Sequence, residues 1–137
     1  MADCTFCAIA SAELDATIVH EDEETVAFLD RRPLFPGHVL LIPRTHCVTI
    51  EDLPAGLVEP LFATAQTLTG AVRRAMGAEG TFVALNNTVS QSVPPLHVHI
   101  GPRVRKDGLR GFFWPRNPYE DDAAMEAAGA AIRAELD

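Results

Sequence analysis

Between Asp52 and Gly77 the chain changes its period. Leu57, Leu61, Ala65, Leu68, Val72 and Ala75 recur at steps of three and four, the spacing that gathers side chains on one face of an α-helix. On either side the apolar residues fall in short runs rich in β-branched and aromatic types. Thr17-Ile-Val-His20, Thr25-Val-Ala-Phe-Leu29 and His38-Val-Leu-Leu-Ile-Pro43 precede the helix; Thr81-Phe-Val-Ala-Leu85 and the stretch from Val93 to Pro102 follow it. One long helix set between two groups of strands excludes a helical bundle and a regular strand–helix alternation. It predicts an α+β domain with a mostly antiparallel sheet. Asp52 is expected to cap the helix, Gly77 to end it, and Pro60 to bend its first turns.

The acidic turn Glu21 to Glu24 joins the first two strands as a hairpin, and Arg31 to Gly37, with two prolines and a glycine, is a loop. At the far end Asn117, Pro118 and Glu120 have the look of a capping box, followed by Met125, Ala128, Ile132 and Leu136 on one narrow face. A last helix of that kind either docks on a partner subunit or lies loosely on the domain. With 137 residues, 47% of them hydrophobic, the chain suits a single domain over 1–137. Its flanks are a Cys-x-x-Cys segment at 1–10 and a C-terminal segment and helix at 106–137.

Charge and cysteines narrow the partners. The formal charge is -8, yet Arg103, Arg105, Lys106, Arg110 and Arg116 cluster after a histidine-bearing stretch. A small anion suits that local patch, whereas the overall acidity argues against a nucleic-acid polymer. The longest apolar run, Val39 to Pro43, is far short of a membrane span, and no charged-then-apolar signal opens the chain. A cytoplasmic protein with no membrane partner is expected. Three cysteines fit reduced thiols or metal ligands better than a disulfide framework.

The chemistry concentrates in V-P-P-L-H-V-H-I-G-P, residues 93–102. In a strand His97 and His99 share one face while Val98 and Ile100 take the other, so two imidazoles enter one pocket. The loop before them, Asn86-Asn-Thr-Val-Ser-Gln-Ser92, offers amides and hydroxyls, and Arg103 follows with a positive charge. Donors, imidazoles and a cation in that order suit a phosphate group. Half-exposed histidines on a sheet surface are the plainer alternative.

The chain also carries C-x-x-C at Cys4 and Cys7, A-F-L-D at Ala27 to Asp30, P-x-x-P-G-H-x-L-x-x-P-x-x-H from Pro33 to His46, and S-Q-S-V-P-P-L-H-V-H from Ser90 to His99. In this order and spacing it resembles the histidine triad (HIT) family of nucleotide-binding hydrolases and transferases. The resemblance implies a five-stranded sheet with one long helix, a homodimer, and a purine nucleotide or nucleotide conjugate in a cleft over the histidine strand. It makes His97 the nucleophile that attacks phosphorus, giving a nucleotidyl-histidine that water hydrolyses. His99 would orient the site and bind phosphate, His38 would support the cluster, and Asp30 would hold the ribose. Phe28 would line the base pocket, with Asn86 (or Asn87), Gln91 and Ser92 on phosphate. On pattern alone Phe28 and His38 read more readily as core residues than as site residues.

The pattern is broken at Pro95, where the family places the first triad histidine, and at Gly101, where it has an aliphatic residue. By the same resemblance, zinc would be held by Cys4, Cys7, His46 and that first histidine. Only three of the four ligands are present, which leaves both zinc retention and zinc loss open. A redox role for the two cysteines is a third reading, for which no surrounding βαβ pattern speaks. Reduced turnover through His97 is the leading expectation, with a nucleotide-binding regulator of little activity as the alternative. A small metalloprotein using His97 and His99 with the cysteines is the reading outside the family. Phe112, Phe113 and Trp114 are expected to pack a subunit interface, with a reach into a partner's cleft as the alternative.

Overall fold

The computed structural model describes residues 4–109 and 116–136. Arg110, Phe112, Phe113 and Trp114, given roles above, lie outside the described residues. The chain divides after Asp107 into two compact units.

The first unit opens with a short helix, α1 (Thr5–Ala10), and continues through strands β1 (Ile18–Glu21), β2 (Thr25–Leu29) and β3 (Val39–Pro43). A 3₁₀ turn at Ile50–Asp52 leads to the long helix α2 (Ala55–Ala75), followed by β4 (Gly80–Ala84) and β5 (Val98–Arg103). The strands form one five-stranded sheet in the order β1-β2-β3-β5-β4, and every neighbouring pair is antiparallel. The β1–β2 hairpin closes on Asp22, whose carboxylate accepts the backbone N–H of Glu24 and of Thr25 at 2.9 and 2.8 Å. Those donors, the Glu24 amide foremost, hold the Asp22 carboxyl below the usual carboxylate range.

Each face of the sheet meets a different helix. Ala27, Val39, Leu41, Val98 and Ile100 pack against Leu61, Ala65, Leu68 and Val72 of α2. These helix residues are the interior of the predicted stripe; Leu57 is partly buried and Ala75, at the C-terminal end, is exposed. The opposite face presents Val26, Phe28, Leu40 and Ile42 to Cys4 and to Phe6 of α1. Strands covered on both sides explain why β3 is an unbroken apolar run. Register places His99 opposite Leu40, and Leu40 opposite Phe28, so His99 lies on the α1 face.

Three boundaries differ from the sequence reading. Asp52 does not cap α2: its carboxylate accepts the backbone N–H of Thr49 at 3.1 Å and closes the 3₁₀ turn. Leu53, preceding Pro54, is held extended at φ -67, ψ 122, as a residue before proline prefers, and α2 therefore starts at Ala55. Gly77, at φ +60, follows the helix as expected. Second, β5 begins at Val98, so Pro94, Pro95 and His97 precede the strand rather than opening it.

The third difference is in the second unit, which holds α3 (Asp122–Glu135). Asp121, not Asn117, caps it, accepting the Ala124 N–H at 2.8 Å. Met125, Ile132 and Leu136 are exposed, at 57%, 65% and 78%. No helix among the described residues is long and apolar enough to cross a membrane.

Candidate active site

His38 stands where the Gly37 turn delivers the chain into β3, His97 immediately precedes β5, and His99 is its second residue. Their rings pack together: His97 and His99 lie 4.8 Å apart between centroids, His38 and His99 5.1 Å. His97 and His38 are almost fully buried, at 5% and 3% exposure. The structure therefore gathers the two histidines singled out as a pair with a third from the Pro33–His46 motif.

Hydrogen-bond partners fix which nitrogens carry protons. The Leu34 N–H donates to His38 Nδ1 at 3.1 Å, so that nitrogen must offer its lone pair. His38 then bears its hydrogen on Nε2 and donates it to His99 Nδ1 at 3.0 Å. His99 is left with an Nε2–H to donate. His97 works the other way: its Nδ1 lies 2.9 Å from the Pro95 carbonyl oxygen, which can only accept. Nδ1 of His97 therefore carries the hydrogen, and Nε2 keeps a lone pair, the requirement for a nucleophilic imidazole.

Burial disfavours the charged form of two of these imidazoles, His99 and His38. His99 is pushed down to about 4, first by burial and then by the neighbouring His97 and His38. His38 is lowered too, burial outweighing the pull of the Asp30 carboxylate, 3.7 Å from its Nδ1. Asp30, His38 and His99 lie close enough together to suggest a metal site. The bonding pattern opposes one, because His38 faces its two neighbours with different nitrogens and its Nδ1 is already occupied by the Leu34 amide.

Beside the cluster is a cavity of about 830 Å³, within the range of small-ligand sites. Phe6, Ile9, Phe28 and Leu40 give it apolar walls, and Asp30 and Thr17 supply polar groups. Asp30 uses one carboxylate oxygen to accept the Arg32 N–H at 2.9 Å, which holds it at the end of β2. Phe6 lines the cavity and also touches the cluster, meeting His97 edge-to-face at 5.1 Å and Phe28 at 5.3 Å. Phe6 is specified by none of the motifs above, and its only signal in the sequence is its place between the two cysteines.

The other expected contacts are distributed unevenly. Gln91 is committed at both ends, accepting the Thr88 N–H at 2.8 Å and donating to the Val48 carbonyl at 2.6 Å. Asn87 accepts the Ile50 N–H at 2.8 Å. These bonds brace a loop in which Thr88 and Ser90 take left-handed φ values of 70 and 63. Ser92 is exposed and Asn86 half-buried. Arg103 is tied to the Asp107 carboxylate by two bonds, at 2.5 and 3.0 Å, four residues along β5 from His99. The basic patch therefore does not present Arg103 as an unpaired cation.

Cys4, Cys7 and His46 form a separate cluster, their ligand atoms all within 4.8 Å of one another. His46 Nδ1 is 3.0 Å from the Cys7 sulfur and 3.6 Å from that of Cys4. Burial, reinforced by the hydrogen bond and charge of Cys4, raises the Cys7 thiol to about 11. Two sulfurs and one imidazole nitrogen are a donor set that suits zinc, three of the four ligands a structural zinc site takes. The Pro95 side chain carries no donor.

An open antiparallel sheet with a hydrogen-bonded imidazole cluster beside a small-ligand cavity defines the class of protein. Residues 11–106 match the HIT domain. The chain is 33% identical over 138 residues to an uncharacterized HIT-like protein of Mycobacterium tuberculosis (strain ATCC 25618 / H37Rv), spanning 97% of this chain and 92% of that one. It is 32% identical over 109 residues to adenylylsulfatase HINT3 of Arabidopsis thaliana, covering 78% of this chain and 55% of that protein. Among solved structures, SMU.412c of Streptococcus mutans UA159 superposes with a TM-score of 0.91 at 31% identity, covering 100% of this chain and 87% of that one. A Zn-bound histidine triad family protein from Mycobacterium smegmatis does so at 0.75, with 33% identity and 98% of each chain covered. The chain belongs to the HIT family.

Proposed function

We propose that this HIT protein hydrolyses or transfers a nucleoside monophosphate, taken from a phosphoramidate, acyl-adenylate or dinucleoside polyphosphate, through a nucleotidyl-His97 intermediate. The observation that carries the reading is the bond from His97 Nδ1 to the Pro95 carbonyl. A backbone oxygen can orient the imidazole in this way whichever side chain stands at position 95. His97 Nε2 forms the bond to phosphorus as the bond to the leaving group breaks; water then cleaves the N–P bond and restores the imidazole. The Nε2–H of His99 donates to a phosphate oxygen. Asp30 accepts from the ribose hydroxyls and Phe28 lines the base site, with Asn86 and Ser92 toward phosphate. Gln91 serves that loop as a brace. The relative named adenylylsulfatase supports a nucleotidyl substrate. Zinc, where bound, holds Cys4, Cys7 and His46 together. A homodimer in the cytoplasm completes the reading.

The test is AMP release from adenosine 5′-phosphoramidate. Wild type is expected to turn over, and His97→Ala to lose about a thousandfold or more in kcat. Equal release by both would remove His97 from the reaction. An inert wild type that still binds AMP, made active by Pro95→His, would favour a nucleotide-binding regulator.

A further inference from the structure

Phe6 links two clusters that the family reading treats separately. It sits in the single turn between Cys4 and Cys7, and its ring reaches the imidazole to which the reaction is assigned. Cys4 caps α1 by accepting the Cys7 N–H at 3.1 Å, and Cys7 meets His46 Nδ1 at 3.0 Å. The two cysteines thus fasten both ends of that turn. Phe6, 7% exposed, lies with its ring 5.1 Å from His97 at an interplanar angle of 84°. His99 packs on the same imidazole at 4.8 Å and 68°. The Pro95 carbonyl fixes one edge of the His97 ring, while these neighbours limit its rotation. The chain entering His97 is held from the same cluster: the Leu96 N–H donates to the carbonyl of Cys47, the residue after His46, at 2.7 Å.

We propose that Phe6 is a positioning residue, which transmits the geometry of the Cys4–Cys7–His46 cluster to the His97 imidazole. The inference rests on the function proposed above, but its physical content is an orientation that can be read without turnover. A side chain that only walled the nucleoside cavity would affect substrate binding. One that holds the nucleophile in line affects the chemical step, where small misplacements are expensive.

The experiment uses the full chain labelled with 15N-histidine, with long-range 1H–15N spectra reporting the Nδ1–H form of His97. Phe6→Leu is expected to shift the His97 ring signals and to mix in the other tautomer. With adenosine 5′-phosphoramidate it should lower kcat by about tenfold or more while KM changes far less. Phe6→Tyr, which retains the ring, should retain the wild-type His97 signals. Cys7→Ala, which releases the turn from His46, should reproduce the Phe6→Leu spectrum, and the combined variant should show less than the sum of the two changes. Should Phe6→Leu fail to fold, Phe6→Met is read in its place. Unchanged His97 signals in the Phe6 variant, or a rise in KM alone, would overturn the positioning role. Unchanged signals in Cys7→Ala would overturn the link to the cluster. A wild type without turnover would overturn the proposed function, leaving the ring spectra to decide this inference.

Discussion

At the scale of single residues, the site depends on one backbone conformation as much as on its imidazoles. Gly37 has φ +95, outside the region that a residue with a Cβ adopts comfortably. A Cβ there would also meet Met76 Cγ at 2.6 Å and its sulfur at 2.9 Å, so the methionine would have to shift as a whole. The backbone strain and this close approach add. The turn it permits lets the His38 N–H reach the Phe35 carbonyl at 3.1 Å and brings the Leu34 N–H onto His38 Nδ1. Gly37→Ala is expected to cost about 1–2 kcal/mol, read as a lower urea midpoint, and to lower turnover by loosening His38. An unchanged midpoint would show that the turn relaxes without strain. The residues to which the proposed chemistry is assigned were legible in proportion to their local context. His97 and His99 announce themselves by spacing, and His38 by its motif. Phe6 does not, since an aromatic in a six-residue helix looks like core until the fold brings His97 against it.

At the scale of elements, α2 carries one side of the sheet. Leu61 is fully buried at the centre of its stripe, while Val58, one turn earlier and off that face, is 43% exposed. Leu61→Ala is expected to destabilise the protein by about 3 kcal/mol, because both transfer and cavity costs apply. Val58→Ala should be close to neutral by the same urea measurement; equal losses would mean that the stripe is not the packing face. The stripe could be read from sequence because five turns of a 3.6-residue period leave little room for another pattern. The ends could not. Asp52 and Asn117 each satisfy a local capping rule, but Asp52 is claimed by Thr49 and a proline two residues on. Asn117 competes with Asp121, which lies nearer the periodic segment. Local rules name candidates for a helix end; the neighbouring backbone chooses among them.

For the whole molecule, the cluster that serves the proposed reaction also makes folding depend on pH. His99 falls from its ordinary 6.5 to about 4 in the folded protein, and His38 falls as well. Between those values the unfolded chain binds a proton that the folded state refuses, so acidification favours unfolding. The stability is complete above about pH 6.5 and is lost as the pH falls through about 4. A single group contributes at most about 1.4 kcal/mol per pH unit within that window. The Asp22 carboxylate, held near 2, acts with the same sign but at lower pH, losing its contribution from the ordinary carboxylate range downward. The two effects separate on the pH axis. Urea unfolding between pH 7.5 and 4.5 should therefore show a declining wild-type stability, with His99→Gln declining less steeply because it removes one proton-refusing site. Parallel profiles would mean that His99 titrates normally in the fold and is solvated. The neutral relay from Leu34 through His38 to His99 would then not hold.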